Sequence, residues 1–159
     1  MTALSDAIAA RKAALEVGRE TDTTEVLVGD LYVTLKFTEM DGLDWRDIVD
    51  RFPPRRGVNL DAKYNYNTLL GPLEAAKRSG VQVLDGEDLA LSVDAEATPP
   101  VDQWADMFSV LGGPDLNLIA ATLWVLNEHG PAERKARAKK ALTAPAKPKR
   151  ASRAKPASR

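Results

Sequence analysis

One histidine, no cysteine and 23 carboxylates are what this 159-residue chain offers for catalysis or metal binding. His129 falls at the C-terminal end of a predicted helix, where an imidazolium interacts favourably with the helix dipole. With no second His and no Cys, it has no thiolate or imidazole partner to share a metal. No serine sits in a nucleophile-elbow pattern, so a triad is not expected. Asp41, Asp44, Asp47 and Asp50 cluster around one predicted helix, where Asp47 and Arg51 stand four apart as an ordinary surface pair. Asp85, Glu87 and Asp88 share a turn but lack the spacing of a twelve-residue calcium loop. Gly112-Gly113-Pro114 has no downstream Gly-Lys pair, and its proline removes an amide donor, so it cannot cradle a phosphate. The expectation is a binding or structural protein, not an enzyme, with no cofactor.

Charge divides the chain. Eleven of its 22 lysines and arginines follow Gly130, against Glu133 alone, which leaves 11 basic and 22 acidic residues in positions 1–130. An acidic body therefore carries a basic tail, a statement about partners and not about fold. Lys139, Lys140, Lys147, Lys149 and Arg150 are the candidate electrostatic grip, able to neutralise phosphates by counterion release. The tail has no aromatic to stack on bases, because all nine aromatic residues lie between Tyr32 and Trp124. The N-terminus is charged from residue 6 and no window is apolar enough to span a bilayer, so a cytoplasmic protein without membrane contact is expected.

The elements that would position a site follow from periodicity. Ser5 reads as the cap of a helix over 5–16, followed by a polar linker to Thr24. Glu25–Val28 and Leu31–Thr38 read as a hairpin turned by Gly29, with Leu31, Val33, Leu35 and Phe37 on the buried face. A helix over 43–52 places Leu43, Trp45, Ile48, Val49 and Phe52 inward and stops at Pro53-Pro54. Residues 55–68 read as a structured loop, and 71–79 as a helix with Pro72 in its first turn. Val81–Leu84 and Leu89–Val93 flank Asp85–Asp88 as a second hairpin. Helices over 101–111 and 115–128, joined by a short break and ended by Gly130-Pro131, should pack antiparallel as an αα-hairpin. Residues 132–142 could continue as a charged helix, and 143–159 are too polar and Ala/Pro/Lys/Arg-rich to offset their ordering entropy. The expected fold is α+β and mainly helical: an N-terminal helix and linker (1–24), an α+β domain (25–130) and a disordered basic tail (131–159).

Several fragments resemble the tail assembly chaperones of long-tailed actinobacterial phages. They are a hairpin leading into Gly42-Leu43-Asp44-Trp45, then Phe52-Pro53-Pro54-Arg55, Tyr64-Asn65-Tyr66-Asn67, the helix Leu73–Arg78, Gln103-Trp104 through Leu111, and Leu118 through Asn127. The resemblance covers roughly residues 25–130, and it departs from the pattern at Thr68–Pro72 and in the long 81–93 segment. It implies a protein of the host cytoplasm that binds the apolar helices of the tape-measure protein and keeps it soluble until tube subunits replace it. It also implies a longer frameshifted product that recruits tail tube protein. A helix-in-groove surface suits that role, and Trp104, Met107, Phe108, Leu123 and Trp124 are the candidate contacts, to whatever extent they stay exposed. Two other readings remain: a small nucleic-acid-associated protein gripping phosphates through its tail, and a minor phage structural protein such as a connector.

Overall fold

The computed structural model describes residues 2–143, a mainly helical α+β fold. Helix α1 (Ala3–Val17) is followed by a hairpin of β1 (Thr21–Val28) and β2 (Leu31–Thr38), then by short helices α2 (Gly42–Val49), α3 (Asn59–Tyr64) and α4 (Leu70–Ser79). Strands β3 (Gly80–Leu84) and β4 (Glu87–Leu89) complete an antiparallel sheet of order β1-β2-β3-β4. A two-stranded pair, β5 (Val93–Asp94) with β6 (Val101–Asp102), leads into α5 (Gln103–Val110) and α6 (Gly113–Trp124). A π-helical turn, Val125–His129, joins α6 to α7 (Gly130–Thr143).

The hairpin register pairs Val28 with Leu31 across Gly29-Asp30, and Gly29 has φ 62°. Val26, Val33, Leu35 and Phe37 form the inner face, closed by Ile48, Val49, Ala75 and Ala76 from α2 and α4 and by Ile119 and Leu123 from α6. Leu31 is exposed, because it sits at the hairpin tip beyond the helices that cover the sheet. Leu43 is likewise exposed, occupying the first turn of α2 while Trp45, Ile48 and Val49 point inward. The segment expected as linker up to Thr24 is already strand, since Thr21–Thr24 pair in register with Leu35–Thr38. Thr2, not Ser5, caps α1: Ser5 N–H donates to Thr2 Oγ1 at 3.2 Å, and Thr2 N–H donates to Ser5 Oγ at 2.9 Å.

The second hairpin turns tightly on Asp85-Gly86, both with positive φ (52° and 83°), as a two-residue loop of the primed type requires. Its returning strand is Glu87–Leu89, and Val93 pairs instead with Asp102. Asp102 then starts α5 by accepting from Ala105 N–H at 2.9 Å, and it receives Lys77 Nζ of α4 at 2.9 Å. These two donors hold the Asp102 carboxyl below its usual range, the backbone bond contributing most.

Two expectations about the last helices change. α6 packs chiefly on α4 and β1, so the short Gly112–Pro114 connection does not make α5 its main partner. Nor does Gly130-Pro131 end the helix. Proline lacks an N–H and its ring crowds the carbonyl four residues back. The wide turn ahead of it absorbs both effects, with Gly130 N–H donating to Val125 O. A Cβ on Gly130 would lie 3.1 Å from that same oxygen, so glycine suits the position. The chain therefore runs on as α7, whose Arg134 bridges Glu20 (2.8 Å) and the buried Glu39 (2.5 Å). Residues 130–143 are thus helix docked on the body at one arginine. The part of the expected disordered tail from 144 onward, including Lys147, Lys149 and Arg150, lies outside the described residues.

Gly80 is the most crowded of the glycines, packed against core side chains. A Cβ there would lie 2.7 Å from Ala76 O, from Phe37 Cε1 and from Trp104 Cη2. Gly80→Ala should lower stability by about 1–3 kcal/mol through overpacking, read as an earlier urea midpoint at unchanged slope.

Candidate functional site

The site is built on a carboxylate that the loop expectation for 55–68 did not anticipate. Pro53-Pro54 stop α2 from extending, and the chain returns through Arg55–Val58 into α3, whose Asp61 is completely buried. Asp61 Oδ2 accepts from Arg55 N–H at 2.9 Å and from Arg55 Nε at 2.7 Å. Its Oδ1 accepts from Arg55 Nη2 at 3.0 Å, from Thr68 N–H at 3.0 Å and from Thr68 Oγ1 at 2.6 Å. The Arg55 guanidinium and then the Thr68 donors hold this carboxyl far below the ordinary carboxylate range, against the desolvation that would raise it.

The Tyr64–Asn67 run completes the frame. Asn65 takes the left-handed conformation (φ 62°) that ends α3, a role asparagine fills well. Asn67 Oδ1 accepts from the N–H groups of Leu69 and Leu70, both at 3.0 Å, and so starts α4. Tyr66 is buried edge-on against Trp45 with ring centroids 6.1 Å apart. Burial and the Glu128 carboxylate together push its phenol above the usual range. Glu128 also accepts from Trp45 Nε1 at 2.9 Å, and Asn127 Oδ1 accepts from Met40 N–H at 2.8 Å. The π-turn therefore clasps α2 and the residue Met40 that leads into it.

Between this frame and α6 runs an apolar groove of about 390 Å³. Val58 and Leu60 form one wall, Ala120, Ala121 and Trp124 the other, with Leu69 at the base and Arg55, Thr68 and Asn117 as polar edges. Trp124 stands edge-on to Tyr64 (5.7 Å) and stacks on His129 (5.3 Å, 20° between planes). His129 consequently lies inside a continuous helix and stacks on an indole, and the helix-terminus role expected for it does not apply. Leu60 on the groove wall is 52% exposed, and Leu118 of α6 and Val125 of the π-turn are 44% and 39% exposed.

The candidate contact residues separate by burial. Trp104 (1% exposed) and Leu123 (0%) are interior, Trp104 packing on Phe37 and Phe108, so neither offers a surface to a partner. Trp124 lines the groove just described. Phe108 lines a second apolar depression of about 360 Å³ with Phe52, Leu70, Leu73 and Leu116, and Met107 is half-buried against the core. Lys139 and Lys140 are exposed on α7. Sequence reading missed Val58, Leu60 and Leu69. The available signal was the Pro-Pro-Arg-Arg-Gly run followed by an isolated Asp and an Asn suited to a left-handed cap.

Among the described residues no group of three or more His, Asp or Glu is placed to hold a metal ion, and no helix is long and apolar enough to cross a membrane. Comparison with protein-family models, curated proteins and solved structures finds no match for this chain.

Because Asp61 is ionised and fully bonded in the fold, its stabilisation is present above the unfolded carboxylate pKa of about 4 and declines as pH falls below it. Asp61→Asn, which leaves Arg55 without its charge partner, should cost about 3 kcal/mol at neutral pH. The variant should also lose less further stability than the parent between pH 5 and pH 3, as measured by urea unfolding across that range.

Proposed function

We propose that this protein is a phage tail assembly chaperone that binds the tape-measure protein and keeps its apolar helices from aggregating during tube assembly. The observation that carries the reading is the open apolar groove between α3 and α6, whose wall residue Leu60 stays half exposed. Natural monomers keep contiguous apolar surface small unless something covers it. A trough between two helical walls is the shape into which an amphipathic helix lays its apolar face. Of the groove lining, Arg55, Ala120, Ala121 and Trp124 belong to the fragments that carry the sequence resemblance, and Tyr64 of a further fragment packs edge-on against Trp124.

Binding without turnover fits the chemistry of the site. Its one buried carboxylate is consumed by Arg55 and Thr68, which leaves it no capacity as a general base. A longer frameshifted product would carry its added domain beyond α7, tethering tube protein near the bound tape measure and raising its effective concentration.

A second reading rests on α7. Lys135, Arg137, Lys139 and Lys140 are all exposed there, and no α7 residue is buried. A basic helix of this kind could contact nucleic-acid phosphates.

Co-expression of the full-length chain with the tape-measure protein encoded downstream separates them. The chaperone reading expects soluble, co-purifying tape-measure protein at both low and high salt, because apolar burial is little affected by ionic strength. It further expects about tenfold weaker capture by Ala121→Arg, which places a cation in the groove wall. Tape-measure protein that stays insoluble, together with salt-sensitive DNA binding by the same chain, would favour the nucleic-acid reading.

A further inference from the structure

The polar lip of the groove carries more information than its apolar floor. Residues 51–63 hold four cations and a single carboxylate, in a body where acidic residues outnumber basic ones two to one. That carboxylate is Asp61, which is buried and spent on Arg55. Arg51 is paired with Asp47 at 2.5 Å. Arg56 and Lys63 are left exposed, with no carboxylate partner among the described residues.

Both are near neighbours in the chain of residues that line the groove. Arg56 lies between Arg55 and Val58, which line it. Lys63 follows Leu60 by three residues on α3, so it shares the Leu60 face. Its ammonium sits 5.3 Å over the Tyr64 ring, which in turn meets the edge of groove-lining Trp124. On the far wall, Asn117, Ala120 and Ala121 are uncharged, and the small alanines permit a close backbone approach.

From this juxtaposition we infer that the occupant of the groove is an amphipathic helix of another protein whose apolar stripe is flanked by Asp or Glu, the carboxylates meeting Arg56 and Lys63. The inference rests on the groove being the partner's seat, as proposed above, and adds the partner's charge. The α6 side of the groove runs from Asn117 to Trp124, seven residues or about 10 Å along the helix, so two turns of a partner helix would cover it. The carboxylates would pair at the rim, where such contacts set register and rate of association more than affinity. Lys63 would keep its position over Tyr64 while gaining a counter-charge. An acidic flank would also be repelled by the rest of the acidic body, which favours one docking position over sliding along the surface.

The test uses the full-length chain and two synthetic helical peptides of about twenty residues with the same Leu/Ala stripe, one flanked by Glu and the other by Lys. Binding is followed by tryptophan fluorescence and by amide-exchange protection of α3 and α6. The Glu peptide should bind about tenfold more tightly than the Lys peptide at low salt, with the gap narrowing as salt rises. The double variant Arg56→Glu/Lys63→Glu should reverse that order while circular dichroism stays unchanged. Ala121→Arg, or the independent Leu60→Asp, should abolish binding of both peptides. Equal affinity for the two peptides, or an order unmoved by the double variant, would overturn the inference while tape-measure capture still sensitive to Ala121→Arg would leave the groove reading standing. Peptide binding indifferent to both Ala121→Arg and Leu60→Asp would place the site elsewhere and overturn the inference outright.

Discussion

The groove exists because one buried carboxylate is fully satisfied. A charged group taken out of water costs several kcal/mol unless paired and hydrogen-bonded. Asp61 avoids that cost through five hydrogen bonds from Arg55 and Thr68. Two come from backbone amides, so the arrangement fixes main chain on both sides of α3 as well as side chains. The Arg55–Val58 segment and the start of α4 are thereby held at a set separation. Six-residue α3 could not be stable alone. Its position comes from this cross-link, from the Asn65 and Asn67 caps and from Tyr66 against Trp45.

On the opposite side the constraint is the π-turn. An extra residue in the turn changes which side chains face the body, and Asn127 and Glu128 are the two that reach Met40, ahead of α2, and Trp45 within it. The same turn lets the chain pass Pro131 and deliver Arg134 to Glu20 and Glu39. The acidic body and the basic C-terminal part are therefore joined by a directed helix instead of a free linker. α1 and α7 have no buried residue, and Glu39, which also lies 3.9 Å from Arg11, is the acidic point on which both converge. Their attachment is mainly ionic, whereas that of α4 and α6 is apolar.

Between these two constraints the walls of the groove cannot collapse together. α6 is committed to the core through Ile119 and Leu123, and α3 is committed through Asp61. The side chains left facing each other, Leu60 and Val58 on one side and Ala120 and Ala121 on the other, are too short to fill the space. An apolar trough held open by polar anchors can admit an apolar partner without first unpacking the core.

The amino-acid sequence by itself determined the class of fold and most of its elements. Alternation over Leu31–Phe37 with Gly29 before it specifies a hairpin, and the apolar spacing of α2, α4, α5 and α6 specifies helices, because both signals act between near neighbours. The absence of Cys and of a second His, together with the charge division at Gly130, is also legible without coordinates. Tertiary structure decided what depends on distant partners. Trp104 and Trp124 look alike in sequence, yet one is sealed between Phe37 and Phe108 and the other walls the groove. Asp61 reads as one loop carboxylate among 23 until Arg55 and Thr68 are folded onto it. Gly130-Pro131 reads as a stop, and becomes a continuation because contacts from Met40 and Trp45 to the preceding turn reward an irregular helix that local propensity would break. Local propensity acts over a few residues, whereas burial and hydrogen-bond satisfaction are properties of the assembled chain.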